Sequence, residues 1–238
     1  MGPLTIHDRI GQGGQGEVYA AALDDGTRVA VKRLRQTPDN DDVARLIEEA
    51  RLLAYTGHSG IVKPIALVRI DGEVALLTEL VQGANLAQIF TTGRAPPGAL
   101  FAVGATLADI LHEANSSAGP NGQPLGMVHR DLRPSNVVIG RDGRPRLLDL
   151  GLAWTTERRT SETASGQVMG SLETLAPESF VQRDPTHARD VFALAALIAA
   201  GLAGRGLYSG RTSRQVAQLC TSSTTFNAQV KNYLTRLE

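Results

Sequence analysis

The sequence predicts an α+β fold in two lobes: a small antiparallel β lobe with one helix over residues 1–82, and a larger helical lobe over residues 83–238. Three observations predict it. Apolar and polar residues alternate on either side of two tight-turn dipeptides, Asp25-Gly26 and Asp71-Gly72. Between those strand pairs the apolar period switches to three and four over residues 40–54. Beyond Gly83 the chain turns rich in Ala and Leu, with longer stretches of helical character.

Taken in order, Ile6 and Ile10 lead as a strand into a glycine run, and Val18, Ala20 and Ala22 alternate up to Asp25-Gly26. Val29 and Val31 resume the alternation as a third strand. Val43, Leu46, Ile47, Ala50 and Leu53 then mark one face of an amphipathic helix, and the acidic side chains of Asp39, Asp41 and Asp42 sit at its start, where the helix dipole favours them. Residues 61–68 and 73–80 read as two more strands, making five strands and one helix. In the second lobe Pro96-Pro97 opens a helix to about Glu113, followed by a polar Gly- and Pro-containing loop over 116–126. Residues 137–139 and 146–148 bracket Asp142-Gly143 as a second hairpin. Residues 155–171, rich in Ser, Thr and Glu, read as a surface loop, and 191–202 as a buried core helix.

Composition narrows the function classes. The 24 basic and 24 acidic side chains cancel, so no global field draws nucleic acid or an anionic membrane. The longest apolar run, 191–202, falls short of the roughly 18–20 residues that span a bilayer. A lone cysteine, Cys220, makes no internal disulfide and reads as a small buried hydrophobe; with no leader-like segment at the start, a reducing, cytoplasmic setting is expected.

Two stretches carry chemistry. The first is Gly11-Gln12-Gly13-Gly14-Gln15-Gly16-Glu17-Val18, where glycines would let backbone amides approach phosphate without a Cβ in the way. A dinucleotide-binding turn would lead from such a run into a helix, whereas here a strand and a hairpin follow. The second is His129-Arg130-Asp131-Leu132-Arg133-Pro134-Ser135-Asn136, followed by Asp149-Leu150-Gly151. Two carboxylates and an amide at this spacing suit metal-assisted phosphoryl transfer: one acid holds the acceptor hydroxyl, and the other acid and the amide hold metal on phosphate.

These residues resemble the catalytic loop and metal-binding turn of the eukaryotic-like protein kinases, and the likeness covers about residues 4–202. It implies a bilobal protein-kinase-like fold using ATP and Mg²⁺. By the resemblance, Gly11, Gly13 and Gly16 border the phosphates, and Lys32, at the end of Val29-Ala30-Val31-Lys32, contacts them. The partner of Lys32, counted back from His58-Ser59-Gly60-Ile61-Val62, is Glu49 in preference to Glu48. Thr78 would guard the back of an adenine pocket, backbone groups at Glu79 and Val81 would pair with the base, and Val18, Ala30, Leu86 and Val138 would wall it. Asn85 stands where many members carry an acidic ribose contact. Asp131 would orient the acceptor hydroxyl, and Asn136 and Asp149 would chelate Mg²⁺.

Further matches and departures set the acceptor class. Ser171 lies where serine/threonine kinases carry a Thr beside the catalytic Asp, and with Pro134 it favours Ser/Thr hydroxyls of proteins. Arg133 departs from the lysine usual near the transferred phosphate in those enzymes, and some tyrosine kinases place arginine there. Leu150 replaces the usual Phe of the metal-binding turn. Asp190 matches an Asp that braces the catalytic loop, and it also reads as a plain helix N-cap. Arg130 points to control by phosphorylation of Thr155, Thr156, Thr160, Ser161, Thr163 or Ser165, with a solvated polar loop as the alternative. Ala176-Pro177-Glu178 matches the end of the activation segment, but Arg205, Arg211 and Arg214 carry no motif that would make one of them the partner of its glutamate. Residues 203–238 read as a shortened end of the large lobe. A bacterial serine/threonine kinase is the leading reading; a non-catalytic scaffold, a small-molecule phosphotransferase, and a need for further domains or an activator stay open.

Overall fold

The computed structural model describes residues 4–13, 16–35, 38–150, 153, 155, 170–180 and 185–235. Its first part is a five-stranded antiparallel sheet in the order β1-β2-β3-β5-β4, built from β1 (Leu4–Gly13), β2 (Gly16–Leu23), β3 (Arg28–Leu34), β4 (Pro64–Ile70) and β5 (Glu73–Glu79). The turn between β2 and β3 is set by Asp25, whose carboxylate accepts from the Thr27 N–H at 2.8 Å, and by Gly26 at φ 81°. Strand alternation sends Ala21, Val29, Val31, Ala75 and Leu77 to one face, where they form a small core under Leu4, Ile6, Tyr19, Leu23, Val68 and Ile70. The register pairs Val18 with Lys32, Ala20 with Ala30, Ala30 with Thr78 and Lys32 with Leu76, so these residues share the opposite face.

Helix α1 (Asn40–Tyr55) covers that second face at β4 and β5. Asp39 caps it by accepting from the Asp42 N–H at 2.7 Å. Its buried Leu46, Ala50 and Leu53 belong to the principal core, which continues through Leu107, Ile110, Leu132, Leu147 and Leu150 of the second part. Residues 61 and 62, expected to open a strand, lie outside β4. The Val62 N–H donates to the Leu147 carbonyl at 3.1 Å and the Leu147 N–H to the Gly60 carbonyl at 2.7 Å. The second hairpin thus takes this segment, which satisfies backbone groups of the buried Leu147.

The second part contains β6 (Gly83–Asn85), α2 (Leu86–Thr91), α3 (Pro97–Ser116), β7 (Val137–Gly140), β8 (Pro145–Leu147), α4 (His187–Ala203), α5 (Ser213–Cys220) and α6 (Ser223–Leu234). Strands β6, β7 and β8 form a three-stranded antiparallel sheet, of which the sequence pattern anticipates only the β7–β8 hairpin. Helices α3 and α4 approach closely: a Cβ on Gly201 would stand 2.8–2.9 Å from Phe90 and Leu100 atoms. Helix α4 is buried along Asp190, Ala193, Ala196, Leu197 and Gly201 only. Val191 is 55% exposed, so the segment expected as a buried core helix covers the core with one face. Beyond it Leu207, Tyr208, Val216, Leu219 and Tyr233 form a third core that reaches Leu172 and Phe180, and half-buried Cys220 packs at its edge.

Among the described residues no helix is long and apolar enough to cross a membrane. Of the expected loop at 155–171, Thr155, Gly170 and Ser171 are described, while Thr156, Thr160, Ser161, Thr163 and Ser165 lie outside the described residues, as does Gly151. Thr155 is 2% exposed, which removes it from the accessible hydroxyls that its polar neighbourhood suggested.

Candidate active site

Lys32 leaves β3 on the face shared with Ala30 and Thr78 and reaches two carboxylates, Glu49 of α1 at 2.7 Å and Asp149 just beyond β8 at 2.8 Å. Glu48, its neighbour, instead lies 3.5 Å from Arg51 on the outer face of α1. Burial works against the Lys32 charge, but the two carboxylates outweigh it and hold the ammonium above its usual range. Glu49 is 4% exposed, and burial pushes its carboxyl up to about 7 against the pull of Lys32. The pair does not share its stabilisation evenly: Lys32 faces two anions, whereas Glu49 faces one cation with Asp149 nearby. Glu49 is therefore the member that loses its charge first as pH falls.

Asp131 is the centre of a second cluster. One carboxylate oxygen accepts from the Ser171 hydroxyl at 2.5 Å and the other from the Asn136 amide at 3.1 Å. The same Asn136 amide nitrogen donates to the Asp131 carbonyl at 2.9 Å, which turns the amide oxygen away from Asp131. Arg133 brings its Nε to 3.4 Å from the Asp131 carboxylate, close enough for charge attraction without a hydrogen bond. The loop is fixed from below by Asp190, which accepts from the His129 N–H at 2.8 Å and the Arg130 N–H at 3.0 Å. Thr186, not Asp190, is the N-cap of α4, so the Asp190 side chain serves the loop rather than its own helix. The Leu148 N–H donates to the Asn136 carbonyl at 2.8 Å and sets Asp149 next in line beside the cluster. Arg130 and Asp149 both hold left-handed backbones, φ 65° and 62°, which non-glycine residues keep only where surrounding contacts over-determine them.

The glycine run closes β1 against β2, with Gly13 paired to Gly16 and Gly11 to Val18; Gly14 and Gln15 lie outside the described residues. Gly16, at φ 152°, is required by the fold, because a Cβ there would run into the Arg33 carbonyl. Gly13 is not: a Cβ there meets nothing within 4 Å.

At the far end of the sheet face, Thr78 stands opposite Ala30. The Glu79 N–H is spent on the Lys63 carbonyl at 3.0 Å, its carboxylate accepts from the Lys63 N–H at 3.0 Å, and its carbonyl accepts from the Thr78 hydroxyl at 3.4 Å. Half-buried Val81 packs on the principal core, Leu86 and Val138 are buried, and Val138 pairs with Asn85. Asn85 has a job the sequence did not announce: its side-chain oxygen caps α2 through the Gln88 N–H at 2.8 Å, reciprocated by Gln88 at 2.9 Å.

The structure thus gathers Lys32, Glu49 and Asp149 into one cluster and Asp131, Asn136, Arg133 and Ser171 into another, joined through β8. A contact the sequence reading missed is Thr174, whose buried hydroxyl donates to the Leu132 carbonyl at 2.6 Å. Its only signal is its place between Ser171 and Ala176-Pro177-Glu178.

The chain is similar to known proteins over most of its length. The chain is 31% identical over 221 residues to serine/threonine-protein kinase pkn2 of Myxococcus xanthus, covering 90% of this chain and 26% of that protein. It is 33% identical over 219 residues to serine/threonine-protein kinase PkaB of Streptomyces coelicolor (87% and 50%) and 30% identical over 217 residues to serine/threonine-protein kinase PknE of Mycobacterium tuberculosis (88% and 36%). The chain spans at most half the length of these relatives. A family model for the protein kinase domain matches residues 4–236, a range that takes in both sheets, all six helices and every side chain of the two clusters. On that match the chain belongs to the protein kinase domain family.

Proposed function

We propose that this chain is a serine/threonine protein kinase that uses Mg-ATP, with residues 1–82 cradling the nucleotide and residues 83–238 presenting the acceptor. The observation that carries the proposal is Asp131, whose two carboxylate oxygens are aimed by Ser171 at 2.5 Å and Asn136 at 3.1 Å. The donor set fits the nucleotide and its metal: one carboxylate, Asp149, and the oxygen of one amide, Asn136, suit a hard cation that brings phosphate and water oxygens of its own. When bound, Mg-ATP supplies the phosphoryl group, with the metal offsetting charge on the phosphate oxygens.

The chain's own residues do the rest. Asp131 orients the acceptor hydroxyl and holds its proton during transfer. Lys32, fixed by Glu49, offers a buried positive charge to phosphate, and Arg133 adds a guanidinium beside Asp131. Gly11, Gly13 and Gly16 keep the β1–β2 turn free of side chains over the phosphates. Thr78 and backbone groups at Glu79 and Val81, walled by Val18, Ala30, Leu86 and Val138, take the base, and Asn85 contacts the ribose. Ser171 and the names of the relatives support Ser and Thr as acceptors. The same relatives, three of them bacterial, support a place in bacterial signalling, and the lone Cys220 supports a reducing, cytoplasmic setting. Autophosphorylation at the loop hydroxyls outside the described residues belongs to the same proposal.

The test is transfer of labelled γ-phosphate from Mg-ATP to a generic protein and to the chain itself, beside Asp149→Ala. Label on serine and threonine in wild type alone is expected. Label on tyrosine, or equal label in both proteins, would overturn the reading.

A further inference from the structure

The stretch between Asp131 and α4 is fixed by three hydroxyls in succession. Ser171 donates to the Asp131 carboxylate at 2.5 Å, and Thr174 donates to the Leu132 carbonyl at 2.6 Å. The third comes from the opposite side: the Tyr208 hydroxyl donates to the Leu175 carbonyl at 3.0 Å, with both residues buried. Tyr208 sits in the loop between α4 and α5, and that loop is itself held by α6. The Tyr233 hydroxyl donates to the Arg205 carbonyl at 2.6 Å, and the Gln229 amide to the Leu207 carbonyl at 3.3 Å. Contacts therefore run unbroken from α6 through residues 205–208 to Leu175, and on through Ser171 to Asp131.

Glu178 stands three residues beyond Leu175, and its carboxylate takes part in no ion pair or hydrogen bond among the described residues. Of the three arginines weighed as its partner, Arg211 donates to Gln229 at 2.7 Å, and Arg205 and Arg214 are exposed. An ion pair at Glu178 thus contributes nothing to holding this segment. From the α4–α5 side the segment is held by the hydroxyl of Tyr208, kept protonated at every working pH because burial first, then Cys220 at 3.7 Å and the nearby Glu178 charge, push the phenol well above its usual range.

We propose that Tyr208 is a positioning residue for the protein substrate: its hydroxyl, through the Leu175 carbonyl, sets the segment 171–178 beside Asp131 as the platform on which the acceptor chain docks, in place of an ion pair at Glu178. The proposal rests on the kinase reading above. It separates nucleotide handling, which lies with Lys32, Glu49, Asp149 and Asn136, from acceptor placement, which depends on α6 through Tyr208.

The test is Tyr208→Phe, which keeps the ring in the third core and removes only the donor. The KM for a protein substrate is expected to rise about three- to ten-fold, the range a net hydrogen bond contributes, with the KM for ATP unchanged. Amide hydrogen exchange at residues 172–178 should quicken while exchange in α3 and the five-stranded sheet stays as in wild type. Tyr233→Phe, one contact upstream, should shift the same KM in the same direction by less. An unchanged protein KM in both variants overturns the proposal, as does a Tyr208→Phe loss that appears equally in the ATP KM and in exchange throughout the chain. Absence of transfer by the wild type overturns the kinase reading itself and the proposal with it.

Discussion

Around neutral pH Glu49 stands between two demands, because burial pushes its carboxyl up to about 7 while the Lys32 ammonium 2.7 Å away favours the charged form. A carboxyl whose folded value is raised above its unfolded value contributes stability in its protonated form; that contribution is full below the unfolded value near 4.5 and is lost as pH rises through about 7. Wild type should therefore lose melting temperature relative to Glu49→Gln between pH 5 and pH 8, in thermal unfolding followed across that range. Phosphate transfer should run the other way, rising through about pH 7, because the carboxylate is the form that fixes Lys32. Asp131→Asn keeps the shape of the second cluster but removes the proton acceptor, so turnover should fall about 10²–10⁴-fold with nucleotide affinity intact, as read by steady-state kinetics beside nucleotide titration. These acids were legible because their chemistry demands a fixed spacing along the chain. Tyr208 and Thr174 were not, since each does its work through a single hydroxyl donated to a backbone carbonyl, and any position can supply a carbonyl.

Among the elements, the longer ones announced themselves and the short ones did not. Helix α1 spans more than four turns of apolar period, and β2 and β3 flank a strong turn dipeptide, so period and turn chemistry agree. Strand β6 has three residues and α2 has six, too few for a period to emerge, and both exist because β7 and the Asn85–Gln88 capping box fix them. Asn85→Ala should cost about 1 kcal/mol in denaturant unfolding by loss of that cap. Asn85→Asp should hold stability, because aspartate caps as well, and a change in its ATP KM would then report a ribose contact free of the structural effect. Gly201→Ala should cost about 1–3 kcal/mol, since the added methyl must push Phe90 and Leu100 out of a packed crossing between α3 and α4.

Across the whole molecule, one core joins the sheet to the helices: Leu46 and Leu53 of α1 share it with Leu107, Leu147 and Leu150. The change from a strand-rich part to a helix-rich part was readable from composition, but this continuity was not, because apolar residues do not declare which partners they will meet. A ligand bound between Lys32 and Asn136 would tie both parts of that core to one state. Mg-ATP at a hundred times its dissociation constant should thus raise stability by about 2.7 kcal/mol, seen as an upward melting shift that Asp149→Ala abolishes. The left-handed backbones at Arg130 and Asp149 set a limit on how this chain could be improved. Glycine would sit more comfortably at either position, and a selection that rewarded only thermal endurance would drift toward it. Each such step would remove a charged side chain, Arg130 next to Asp131 or the Asp149 carboxylate that pairs with Lys32 at 2.8 Å, so heat-hardened descendants of this chain should be found by screening for catalysis first and endurance second.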